Sequence, residues 1–147
     1  MNNIIKVESE NLETLIKLSL ELWPHHIYEE IEEEYKALNS ANNAFFLFKE
    51  DNMYIGFIHV SLRHDYVEGS NSSPVGYVEG IYVKEEYRGK GIAKSLVKSG
   101  EEWAATKGCT EMASDIEAQN HVSYDFHKSI GFKEVNRIIC FIKDIEK

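Results

Sequence analysis

The sequence predicts a mixed α/β fold, a central sheet with helices on both faces. Three observations predict it. Strand-like apolar runs alternate with segments whose apolar residues recur at helical spacing. Their order reads strand, two helices, three strands, helix, strand, helix, strand. The 147 residues hold only two Pro, with no low-complexity tract and no internal repeat, so one domain over 1–147 with a sizeable core is expected.

Each element has its own reason. "NIIKV" near the start reads as a short strand. Ser9 or Asn11 can cap a helix carrying Leu12, Leu15, Ile16, Ser19 and Trp23 on one stripe, and Pro24 ends it. "IYEEIEEEYKAL" places Ile27, Ile31, Tyr35 and Leu38 on a second stripe; its acidic run reads as a solvated face, or as an attraction for a polycation. "NAFFLFKEDNMYIGFIHVSLRHDYV" reads as a hairpin turning at Asp51 and Asn52. "EGSNSSPVG" is a polar turn before the strand "YVEGIYV". The next helix carries Ile92, Leu96, Val97, Gly100, Trp103 and Ala104 on its core stripe and stops at Gly108. "TEMASD" reads as a strand, "NHVSYDFHKSIG" as a helix ending at Gly131, and "NRIICFIK" as a final strand.

The formal net charge of −9 argues against a nucleic-acid partner, whose phosphates want a basic surface. It suits a cationic small molecule, or simply keeps the protein in solution. No stretch approaches a membrane span and the N-terminus lacks a signal-peptide pattern, so no membrane partner and a cytoplasmic location are expected. Cys109 and Cys140 are then expected as free thiols buried in the core.

"RGKGIA" sits between a strand and a helix. A helix N-terminus offers unpaired N–H groups and partial positive charge. Gly89 and Gly91 permit a tight turn and close approach of a ligand, while Arg88 and Lys90 add charge. Together they suit a phosphate or pyrophosphate; the alternative is a tight connection with no ligand. The pattern is neither a Walker loop nor the dinucleotide glycine fingerprint.

Arg88-x-x-Gly91-x-Ala93, after "IYV" and ahead of an amphipathic helix, resembles the pyrophosphate loop of the GNAT acyltransferases. The segment "NHVSYDFHKSIGF" is similar to that family's second motif, with Asn120, a small residue three on, and Gly131-Phe132. The resemblance implies a central mixed, mostly antiparallel sheet flanked by helices, and acetyl-CoA as co-substrate with no metal. It places acetyl-CoA against Ile81, Tyr82, Val83, Arg88, Gly89, Lys90, Gly91, Ile92, Ala93, Asn120 and His127. A narrower set of strings, "LWP" with His26 beyond it, "RHDYV", "SSPV", "EGI", "KGC" and "EMASD", resembles the aminoglycoside 6′-N-acetyltransferases over nearly the whole chain. An aminoglycoside substrate and a homodimer are implied, and "NRIICFIK" could pair with a second copy. The sequence departs from the superfamily at His127, where many relatives place a Tyr acid. His127 could protonate the leaving thiolate, contact the cofactor or pack in its helix; Tyr124, one turn back, is another candidate acid.

Chemistry singles out Glu79. An alkyl ammonium has a pKa near ~10.4, so freeing the amine at neutral pH costs about 4–5 kcal/mol. A carboxylate beside it can take the proton directly or through water; the alternative is that Glu79 is only an edge or solvent-facing carboxylate. Gly80 suggests a bulge that turns Glu79 out of the sheet, and an N–H of the Ile81–Val83 strand can hold a developing oxyanion. Asp115, after "EMAS", reads as a second carboxylate for the substrate or as a helix cap. Trp23 and Tyr66 could supply flat walls for a sugar ring or pack ordinarily, and His26 matches the family's His near the tryptophan. Two rivals remain at this level: an acetyltransferase for another amine, such as a polyamine or a protein terminus, and a module that binds acetyl-CoA or a cationic drug without turnover.

Overall fold

In the computed structural model, which describes residues 3–146, burial follows the predicted stripes of the first and third helices, whereas on the second stripe Ile31 is buried, Tyr35 and Leu38 are half-buried and Ile27 is exposed. Leu15, Ile16, Leu18 and Ser19 are buried on α1 (Leu12–Leu22), which a 3-10 turn at Ser9–Asn11 leads into. Tyr28–Ala37 form α2, anchored by buried Ile31. All six residues of the third predicted stripe are buried on α3 (Ile92–Thr106). His121–Ser129 form α4.

The sheet has β1 (Ile4–Lys6), β2 (Asn43–Glu50), β3 (Met53–Arg63), β4 (Val75–Val83) and β5 (Met112–Ser114), in that spatial order. Every pair is antiparallel except β4 with β5, which is parallel and follows the crossover through α3. The mixed, mostly antiparallel sheet is thus present. Asp51 and Asn52 turn the β2–β3 hairpin with φ of 51° and 62°, a conformation that Asn and Asp tolerate.

One face of the sheet packs on α1, where Leu15, Leu18, Leu47 and Phe57 form a buried cluster with Trp23, Tyr35 and Phe45 against it. The other face packs on α3, where Gly100 lets the helix approach: a Cβ there would lie 2.7 Å from the Val60 side chain. Beside α1, Tyr82 Oη–H donates to Glu21 at 2.8 Å and Lys84 pairs with the same carboxylate at 2.8 Å, so the last turn of α1 is tied to the end of β4.

The described residues fall into two compact units divided after Asp115. The second holds α4 and residues 130–146. Here the structure corrects the expectation of a final strand: among the described residues, 133–146 join no sheet. A strand needs a ladder partner for its backbone groups, and apolar pattern alone does not supply one. Ile138, Ile139, Phe141 and Ile142 are accordingly exposed. The cysteines are free as expected, but neither lies in the core: Cys140 is exposed on this segment and Cys109 is half-buried after α3. Among the described residues no helix is long and apolar enough to cross a membrane.

Candidate active site

The bulge predicted at Gly80 is present. His59 pairs with Gly80 and Val60 with Val78, leaving Glu79 as the extra residue of β4. The consequence is a change of phase. Strict alternation would put Glu79 on the side of Ile81, which lies opposite Ile58 and faces α3. Instead Glu79 joins Ser61, Arg63 and Tyr77 on the α1 side. Gly80 itself is required by its neighbour: a Cβ there would come within 2.7 Å of the Trp23 ring, which closes the end of α1.

The Glu79 carboxylate is held by three donors. Arg63 Nε–H reaches Oε2 at 3.0 Å, Arg63 Nη2–H reaches Oε1 at 2.9 Å, and Ser61 Oγ–H reaches Oε2 at 2.6 Å. The Arg63 guanidinium lies 3.4 Å from the centroid of the Tyr77 ring, and Tyr77 Oη–H donates to Asp115. Burial pushes the Glu79 carboxyl up, but the bonds from Arg63 and Ser61 outweigh it and hold it below the usual carboxylate range. Burial, and then the bond to Asp115, push the Tyr77 phenol up, so it remains a donor. Behind Glu79, His59 stacks on Phe45 at 4.2 Å and donates from Nε2 to Asn43 at 2.9 Å; burial lowers its pKa to about 4.

Two predicted site residues, Glu79 and Asp115, thus join one network, through Arg63 and Tyr77. Asp115 is not the cap of α4: Asn120 Oδ1 accepts the Ser123 N–H at 3.1 Å and does that work. Arg63, Ser61 and Tyr77 were missed by the sequence reading. The polar alternation His59, Ser61, Arg63 on an otherwise apolar strand was the available signal.

Beside this network β4 loses its second neighbour. Pairing with β5 covers Gly76 to Val78 only. Lys84 N–H still donates to Ile55 of β3 at 2.8 Å, so by ladder alternation Ile81 and Val83 turn their backbone groups to the opposite edge. There Val83 O accepts Arg88 Nε–H at 2.8 Å, which fastens the glycine turn to the strand. The Tyr82 side chain goes elsewhere, toward Glu21, so beyond the β5 pairing this edge offers backbone groups, with the Arg88 side chain on Val83 O.

The turn ends at Gly91, the residue before α3, with φ of 80° and no capping side chain. A Cβ built on Gly89 or Gly91 would meet nothing within 4 Å. The glycines are therefore there for positive φ and for an open approach, not to relieve crowding. Ile92 is buried and seats the helix start, while Ala93 is half-buried. Lys90 Nζ lies 5.3 Å from the Tyr87 ring centroid. The first N–H groups of α3 have no intrahelical acceptor by geometry, so the residues present fit a pyrophosphate.

The remaining predicted residues are placed as follows. Tyr66 is 75% exposed, on a loop whose neighbouring Val67 is buried with Val75 and Tyr77. Trp23 packs edge-on against Phe57, centroids 6.3 Å apart, and His26 is exposed with its N–H on Trp23 O at 3.1 Å. In the second unit His127 Nδ1–H donates to Ser123 O at 2.7 Å, and its ring packs against Phe126 and Phe132. Among the described residues no group of three or more His, Cys, Asp or Glu could hold a metal ion.

Comparison with known proteins agrees with this architecture. The Acetyltransferase (GNAT) family matches residues 7–132. An aminoglycoside N(6′)-acetyltransferase type 1 of Salmonella enteritidis is 37% identical over 96% of this chain and 98% of its own length. Its counterpart in Acinetobacter baumannii is 35% identical over 97% and 99%. Among solved structures, AAC(6′)-Iy in complex with CoA superposes with a TM-score of 0.91 at 37% identity, covering 97% of this chain and 94% of that one. The same enzyme with a bisubstrate analogue, CoA-S-monomethyl-acetylneamine, gives 0.88 at 37% identity over 97% of each chain. The chain belongs to the GNAT acetyltransferase family and, within it, to the aminoglycoside 6′-N-acetyltransferases.

Proposed function

We propose that this protein transfers an acetyl group from acetyl-CoA to the 6′-amine of an aminoglycoside, working as one catalytic domain in the cytoplasm and conferring resistance to the drug. Acetyl-CoA supplies the activated acetyl thioester. The observation that carries the reading is the bulge, which sets an ionised Glu79 on the sheet where β4 parts from β5. Glu79 binds the substrate ammonium and draws off its proton, directly or through water. Asp115 adds a second negative charge, and Trp23, His26 and Tyr66 flank the sugar. The Gly89–Gly91 turn with Arg88, Lys90 and the start of α3 takes the pyrophosphate, and the backbone of Ile81 to Val83 takes the pantetheine arm and polarises the thioester carbonyl. Asn120 and His127 contribute from the second motif. The matched span 7–132 runs across both compact units, which supports a single working domain. The exposed apolar residues of 133–146 support pairing with a second copy, which sedimentation tests.

The reacting atom is tested with two drugs. Neomycin carries an amine at the 6′ position and paromomycin a hydroxyl, with similar bulk and many other amines on both. A hydroxyl is a poor nucleophile toward a thioester. Steady coenzyme A release is expected with neomycin and kanamycin, and very little with paromomycin, which should inhibit competitively. A thiol reagent follows the rate, and NMR identifies the product. Comparable turnover of paromomycin, or acetylation at another amine, overturns the 6′ assignment.

A further inference from the structure

Glu79 has two oxygens and about four lone-pair sites. Oε2 already accepts Ser61 Oγ–H at 2.6 Å and Arg63 Nε–H at 3.0 Å, and Oε1 accepts Arg63 Nη2–H at 2.9 Å. One site on Oε1 is left for a fourth donor. The guanidinium that imposes this is itself fixed. Its fork grips the carboxylate, and its face rests 3.4 Å from the Tyr77 ring centroid, whose hydroxyl is tied to Asp115. Ser61, which supplies the third bond, is buried on β3. The carboxylate therefore cannot rotate without breaking several charge-assisted bonds at once.

We propose that Arg63 is the positioning residue of the transfer step: it locks the Glu79 carboxylate so that a single Oε1 site faces the substrate amine, and through Tyr77 it fixes Asp115 in the same frame. This rests on the reading of Glu79 as the group that receives the amine. Arg63 is not the base, since a guanidinium stays charged. It also need not leave for substrate to bind, since its fork spares one lone pair. The groups facing Glu79 are Arg63, Ser61 and His59 from β3 and Tyr77 on its own strand, with Asp115 beyond Tyr77 after β5. With its pKa lowered to about 4, His59 is neutral at neutral pH, so Arg63 is the cation that holds the Glu79 carboxyl below its ordinary value there.

The test compares Arg63→Met, Arg63→Lys and Glu79→Gln with the parent enzyme, using neomycin and acetyl-CoA. Arg63→Met keeps much of the stem that covers Tyr77 and loses the fork. Its kcat should fall at least tenfold with KM for neomycin changed less than threefold, and Arg63→Lys should recover part of the loss. Carbon NMR of the labelled glutamates, assigned by the resonance lost in Glu79→Gln, should show Glu79 titrating at higher pH in Arg63→Met than in the parent. The sign follows from removing a cation that favours the charged form. That reading needs no turnover and tests the Arg63–Glu79 ion pair itself, while the split between kcat and KM and the recovery in Arg63→Lys separate positioning from a merely structural role. An unchanged kcat, or a tighter KM with kcat preserved, overturns the proposal; the latter would make Arg63 a displaceable occupant of the ammonium seat. An unmoved Glu79 titration also overturns it. If Glu79→Gln is slow and Arg63→Met is not, only the Arg63 proposal falls. If Glu79→Gln is as fast as the parent, the reading of Glu79 falls and takes this proposal with it.

Discussion

Around Glu79, both carboxylate oxygens are met by side-chain donors from β3; around Gly91, an added Cβ would meet no atom within 4 Å. The two regions adjoin β4 on either side of its open edge, and they are prepared by opposite means. The carboxylate is oriented by side chains before any ligand arrives. The glycine turn is shaped by backbone torsions and presents N–H groups, with side-chain ties running from Arg88 back to Val83 and from Ser95 to the Gly91 carbonyl. Catalytic groups gain from being held in one pose, because misorientation lowers rate directly. A phosphate cradle gains from having nothing in the way. The first region should therefore be sensitive to side-chain chemistry at constant shape, and the second to backbone freedom at constant chemistry.

The largest expected effect breaks the first region. Glu79→Gln keeps the shape but turns one acceptor into a donor, which then confronts Arg63 or Ser61. It also removes the negative charge that receives the amine. Turnover near neutral pH should fall about a hundredfold, within the usual range for losing a general base. The dissociation constant for acetyl-CoA should stay within about twofold by calorimetry, since the cofactor surface is built elsewhere. Raising the pH should restore part of the rate, because more amine is neutral in solution. Activity within twofold of the parent at neutral pH would move the proton-accepting role to Asp115 or a water chain.

The next effect breaks the second region. Gly91 has φ of 80°, which a β-branched residue adopts only under strain. Gly91→Val either shifts the turn or places two methyl groups over the first N–H groups of α3. Acetyl-CoA should bind roughly tenfold to thirtyfold more weakly, a loss of about 1.4–2 kcal/mol. The rate at saturating acetyl-CoA should change far less. Circular dichroism would confirm that α3 persists, and unchanged affinity would remove the turn from the cofactor site.

These regions also differ in how legible they were. The glycine turn could be read because its requirements are local: positive φ, charge and a following amphipathic stripe all lie within a few residues of sequence. The α3 stripe and the Asp51–Asn52 turn were legible for the same reason. Glu79 was half legible. Gly80 signalled the bulge, but the face to which Glu79 turns depends on register against β3, as does its pairing with Arg63, 16 positions away. Tyr77 and Asp115 meet across a parallel pair created by the α3 crossover, which no local pattern encodes. The segment 133–146 misled for a related reason. Its apolar content reads as a strand, yet strand formation depends on a partner edge rather than on composition.

The smallest expected effect concerns the cost of preparing a site with side chains. His59 lies behind Glu79, stacked on Phe45 and donating to Asn43, with its pKa lowered by burial to about 4. Unfolded, the imidazole takes up its proton near pH ~6.5. Between these values the unfolded chain binds more protons than the folded one, so stability rises with pH there and is lost as pH falls. The contribution is fully present above about pH 6.5 and should shrink by about 1–2 kcal/mol on going from pH 7 to pH 5. The glycine turn has no buried titratable group of this kind to impose such a limit. Urea unfolding at the two pH values would measure the loss, with other groups entering both chains alike. His59→Phe keeps the stack on Phe45 and leaves Asn43 one partner short, so it should be less stable at pH 7. Its loss between pH 7 and pH 5 should nevertheless be smaller than the parent's by that same 1–2 kcal/mol. An equal loss in both chains would mean that the acid sensitivity arises elsewhere, and that the side-chain frame behind Glu79 carries no pH limit of its own.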